Sequence, residues 1–131
     1  MSQPAMHIAV EPRYLADQSS PEDHVYTFAY TITVTNTGKV PAQLIARHWL
    51  INDVSGHAQE VKGLGVIGQQ PLLAPGESFR YTSGCRLQAP SGTMHGSYFF
   101  VSEAGDRFDV PVPMFLLEAD APGAPASRVL H

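Results

Sequence analysis

Residues 24–36 alternate more cleanly than any other stretch of the chain. Tyr26, Phe28, Tyr30, Ile32 and Val34 fall on one parity; Thr27, Ala29, Thr31, Thr33 and Thr35 fall on the other. A period of two held over that length fits a strand and no helix. The spacing predicts an apolar face turned to a core and a threonine face turned to water or to a sheet neighbour. Asn36-Thr37-Gly38 then turns the chain.

Residues 42–53 form the next predicted strand. Leu44, Ala46, His48 and Leu50 alternate with Ile45, Arg47, Trp49 and Ile51. Both rows are largely apolar, so this strand is expected to be central and covered on much of both sides. Residues 52–56 carry turn chemistry, and residues 57–62 can return as a hairpin partner. Residues 6–10 are a short strand closed by Pro12, and residues 13–23 are a polar loop. In residues 77–87, Phe79 and Tyr81 share a parity with Cys85, and Gly84 marks a bulge or a close approach. In residues 93–102, Met94, Gly96, Tyr98 and Phe100 share one side; His95, Ser97, Phe99 and Val101 share the other. The last strand, 108–117, sets Phe108, Val110, Val112, Met114 and Leu116 on one face. Its two prolines, Pro111 and Pro113, remove ladder donors and place it at a sheet edge.

About seven strands at turn spacings of about ten residues describe a sandwich. The expected fold is all-β: a single fibronectin type III-like or immunoglobulin-like antiparallel β-sandwich. Cys85 is the only cysteine, so it has no intrachain disulfide. The 131 residues suit one domain, assigned to residues 1–118, with a disordered tail over 119–131 that contains Pro122, Gly123 and Pro125. A formal charge of -4 gives no basic signature for nucleic acid. No apolar run is long enough for a membrane span. The first residues lack the charged and apolar regions of a secretory signal. Together with the lone cysteine, this predicts a cytoplasmic protein, a monomer or weak homo-oligomer, with no cofactor.

Gly63, Gly65 and Gly68 spell G-x-G-x-x-G. That pattern binds a pyrophosphate when it joins a strand to a helix whose N-terminus supplies free N–H groups. Here Pro71 and the Pro75-Gly76 turn leave no room for a helix. The glycines then serve as a loop between strands, although a run of backbone N–H groups can hold an anion without a helix. Arg47 and Trp49 share a strand face, as a core anchor with its rim or as an exposed patch of residue types that dominate interfaces. On the second reading, Arg47→Ala weakens partner capture and leaves the thermal midpoint nearly unchanged. The histidines have no metal-ligand spacing; His48 and His95 lie on predicted strands and could meet. Cys85 reads as a small half-buried residue. No nucleophile–base constellation is visible, and no catalytic or metal-ligating residue is assigned.

Five segments together resemble the ApaG family: RHWLINDVSG (47–56), EVKGLGVIGQQP (60–71), PGESFRYTSG (75–84), GTMHGSYFFV (92–101) and DVPVPMFLL (109–117). The resemblance runs from about Ile8 to Leu117. It implies a fibronectin type III-like domain and an association with cobalt resistance and magnesium efflux. Related domains in F-box proteins and a polymerase δ-interacting protein imply a protein-interaction role, with no catalytic residues to carry over. The resulting expectation is a non-catalytic module binding an unidentified protein partner. The alternative is an anion or nucleotide (pyrophosphate) site at Gly63, Gly65 and Gly68.

Overall fold

The computed structural model describes residues 5–119. Its strands are β1 (Met6–Tyr14), β2 (Tyr26–Asn36), β3 (Ala42–Asp53), β4 (Ala58–Leu64), β5 (Leu72–Leu73), β6 (Ser78–Leu87), β7 (Ser91–Ser102) and β8 (Arg107–Glu118). They form two antiparallel sheets, ordered β1-β2-β6 and β4-β3-β7-β8, with β5 beside β3. The expected tail lies outside the described residues except for Ala119, whose N–H donates to the Pro90 carbonyl at 2.8 Å.

The alternation of β2 fixes the first sheet. Phe28, Tyr30, Ile32 and Val34 are buried, and Thr31, Thr33 and Thr35 lie on the outer face. The Thr31 and Thr35 hydroxyls pair across to Thr82 and Ser78, each at 2.7 Å. Met94, Tyr98 and Phe100 of β7 meet this face from the second sheet as part of one core. The buried hydroxyls of Tyr81 and Tyr98 bond to each other across the two sheets, which satisfies both phenols inside the core. Burial pushes the Tyr81 phenol up to about 12.

Two strands change face part-way, which their sequences do not announce. Between Leu44 and Ala46 the β3–β7 register slips, and Ile45 is the extra residue. Leu44 therefore points inward with Trp49 and Ile51, and Ala46, His48 and Leu50 point outward. On β8, Pro113 and Met114 together fall opposite His95 between the pairs Met94–Phe115 and Gly96–Val112. Phe115 and Leu117 thus replace Met114 and Leu116 as the inner residues, and the latter two are exposed. The expectation of one apolar row from Phe108 to Leu116 holds only as far as Val112.

Other boundaries shift for local reasons. Pro12 does not close β1, because β1 is an edge strand where a missing donor is tolerated. The loop before β2 contains two single-turn 3-10 helices, Ala16–Gln18 and Pro21–Asp23. Gly84 sits in unbroken register with Ala29; it marks a close approach and not a bulge, since a Cβ there would lie 2.9 Å from the Phe28 carbonyl oxygen. Most consequential, β3 is central as expected but is covered on one side only: the outer face of the five-stranded sheet has no layer over it among the described residues.

Candidate functional site

The loop after β4 is built by Arg47. Arg47 pairs with Gly63 across β3 and β4, and its guanidinium lies flat over that glycine; a Cβ on Gly63 would stand 2.9 Å from it. The side chain then reaches past Gly63, and its Nη1 donates to the carbonyls of Leu64 and Gly65, both at 3.0 Å. From below, the bulged Ile45 carbonyl accepts from the Gly65 N–H at 2.8 Å and from Gln70 Nε2 at 2.9 Å. The Val66 and Gln69 N–H groups donate to each other's carbonyls. Three amides of this turn are thus spent, Val66 and Gln69 within it and Gly65 on β3.

Gly65 adopts φ +61, and a Cβ there would fall 2.3 Å from the Gln69 carbonyl oxygen, so only glycine fits. Gly68, at φ +78, faces open space. Ile67 has φ 42, a conformation that a β-branched residue rarely adopts. Val66 beside it is fully buried, and Ile67 and Leu64 are 53% and 74% exposed. The turn anchors one apolar side chain and displays two.

Beside the loop, the outer sheet face forms a groove of about 520 Å³ lined by Ala46, His48, Lys62, Leu64, Phe99 and Asp109. From the groove, His48 Nε2 lies 2.6 Å from Glu60 Oε2, and Lys62 Nζ lies 3.8 Å from the same oxygen. The His48 hydrogen bond, and then the Lys62 charge, hold the Glu60 carboxyl below its usual value.

Trp49 is only 2% exposed and packs edge-on against Tyr30, Tyr98 and Phe115. It is a core residue, so the exposed Arg47–Trp49 patch does not form, and Arg47 is the clasp of the loop. His48 and His95 share the outer face one row apart, because His48 pairs with Ser97 and His95 with Leu50. Among the described residues no three His, Cys, Asp or Glu side chains group as a metal site would require. Burial pushes the Cys85 thiol up to about 11, away from reactivity. The sequence did not assign Leu64, Ile67 or Phe99 to a site; the available signal was the apolar second row of β3, which marks an uncovered face here.

A profile of the ApaG domain matches residues 16–102. The chain belongs to the ApaG family. ApaG of Acidovorax sp. strain JS42 is 62% identical over 130 residues, 96% of this chain and 95% of that one. ApaG of Bordetella pertussis Tohama I is 58% identical over 110 residues, 84% of each chain. The crystal structure of a Bordetella pertussis protein described as ApaA aligns with a TM-score of 0.88 at 54% identity, over 91% of this chain and 97% of that one. The C-terminal domain of Wzt, 10% identical with a TM-score of 0.54, shares the fold alone.

In this ApaG chain the clasp makes a direct prediction. Arg47→Ala deletes two charge-assisted hydrogen bonds and should destabilise by about 1–3 kcal/mol. The loss should concentrate in the loop. Proton exchange at the Gly65 amide should quicken more than at core amides of β2. An unchanged thermal midpoint with unchanged exchange would show that the clasp holds nothing.

Proposed function

We propose that this chain is a non-catalytic, cytoplasmic protein-interaction module, and that a protein partner docks on the loop 63–68 and the adjoining groove of the five-stranded sheet. The observation that carries this reading is Ile67. A β-branched side chain held at positive φ and displayed to solvent is costly to the isolated domain, and such strain concentrates where a surface is used. Exposed Leu64 and half-buried Phe99 extend the apolar surface around it. The spent amides of Gly65, Val66 and Gln69 argue against a phosphate cradle. The link to cobalt resistance and magnesium efflux implied by the family then runs through that partner.

The test is cross-linking in cells followed by mass spectrometry, comparing wild type with Leu64→Glu/Ile67→Glu. Both positions are exposed, so the variant should keep its thermal midpoint and lose the cross-linked partner. A partner retained by the folded variant would move the interface elsewhere. Calorimetric titration with ATP or NAD to about 1 mM should give no one-site isotherm. An isotherm would favour the anion-binding alternative. Gly65→Val is unsuited as its control, because it wrecks the loop whatever the loop binds.

A further inference from the structure

The four sheet edges are not protected alike. The β8 edge carries Pro111, Pro113 and a register slip, the β1 edge carries Pro12, and β4 has seven residues and carries Lys62. These are common devices against unwanted strand pairing. β6 has no proline and no register slip, and its only charges are Arg80 and Arg86. Its ten residues, SFRYTSGCRL, hold unbroken register with β2 on one side. Among the described residues no strand pairs with its other side.

Two hydrogen bonds show which backbone groups face that free side. The Arg86 carbonyl accepts from Gln59 Nε2 of β4 at 3.0 Å, and the Gln88 N–H donates to Asp53 Oδ2 at 3.1 Å. Both partners belong to the other sheet. In an antiparallel strand the N–H and C=O of one residue point the same way, and the direction alternates along the chain. Arg80, Thr82 and Gly84 therefore turn three donors and three acceptors outward, with no partner for them among the described residues. The same residues, with Arg86, set their side chains on the outer sheet face. Arg80 has only a 4.0 Å contact with Glu11, and Arg86 has no carboxylate within ion-pair distance among the described residues. The alternate residues Ser83 and Cys85 are half-buried and line the inner side.

We propose that the β6 edge accepts an extended acidic segment of a partner protein as an added strand. Acidic side chains would lie opposite Arg80 and Arg86, and alternate apolar side chains would cover Ser83 and Cys85. A second copy fits poorly, because the two-fold pairing that overlaps residues 80–86 fully sets Arg80 opposite Arg86 of the other copy. This edge belongs to the sheet opposite the groove and stands independently of it.

The probe is a fluorescent peptide, Glu-Val-Thr-Val-Thr-Val-Glu, whose symmetry serves either strand direction. It should bind the full chain and protect the amides of Arg80, Thr82 and Gly84 from exchange. Its lysine counterpart, Lys-Val-Thr-Val-Thr-Val-Lys, should bind about tenfold more weakly. Thr82→Pro removes an outward donor without touching the β2 ladder and should abolish binding. Arg80→Glu/Arg86→Glu should reverse the peptide preference, so the test survives if the proline variant fails to fold. Leu64→Glu/Ile67→Glu should bind the peptide as wild type does. No binding to about 1 mM, or binding that a folded Thr82→Pro retains, overturns the proposal. So does a concentration-dependent dimer lost in Thr82→Pro, which would make the edge a self-interface.

Discussion

Gly96→Val should leave little folded protein. Gly96 lies on β7 opposite Trp49, facing the core. A Cβ there would stand 1.9 Å from the His48 carbonyl oxygen and 3.1 Å from the Trp49 Cα. Those atoms are backbone, so no rotamer change relieves the clash. β3 would have to leave β7 at the point where Trp49 packs against three aromatic rings. Steric changes of this kind exceed about 4 kcal/mol, a large part of a domain's whole stability. Gly68→Ala is the comparator. Its Cβ meets nothing among the described residues, and only the φ of +78 is unfavourable, so about 1 kcal/mol is expected. Soluble yield and urea midpoints measure both. Similar midpoints for the two variants would refute the packing argument.

Asp53→Ala should lower stability by about 3 kcal/mol, the second largest effect among these variants. The buried carboxylate closes the β3–β4 turn by accepting from the Ser55 and His57 N–H groups and the Ser55 hydroxyl. Its other oxygen accepts from the Gln88 N–H beyond β6, so one side chain joins turns from both sheets. Burial pushes the carboxyl up, but the bonds from Ser55, Gln88 and His57 outweigh it and hold it below its usual value. A depressed folded-state value contributes stability that is fully present above the unfolded value and is lost as pH falls through the folded one. The gap between wild type and Asp53→Ala should therefore be full at neutral pH and narrow below about pH 4. Urea titrations at several pH values read it directly. A gap independent of pH would mean that the ionised form contributes nothing.

How much of this was legible in the sequence depended on whether a strand keeps its period. β2 and the inner face of β7 do, and their core residues could be read from alternation alone. β3 and β8 each take in one extra residue, and no residue type at Ile45 or Met114 announces it. The face of every later residue in those strands then reverses relative to the earlier ones. The two apolar rows of β3 carried a real signal, but apolar character does not separate a covered face from a displayed one. The absence of a helix after Gly68 followed from the prolines. Arg47 was singled out, but its role as the clasp was not legible, because its partners are carbonyls of a loop about seventeen residues on, a contact that only the folded register creates.

The extra residue in β3 also bears on how this strand can change length. Deleting one residue elsewhere in β3 would swing one segment's side chains to the opposite face. Deleting Ile45 would not: Leu44 would still point inward, Ala46 outward and Trp49 inward, and the ladder with β7 would become regular. What would vanish is the carbonyl that receives Gly65 and Gln70. A shortened chain at that position could keep its core and lose the shape of its glycine loop. The insertion therefore marks a point where selection on the loop separates from selection on the fold.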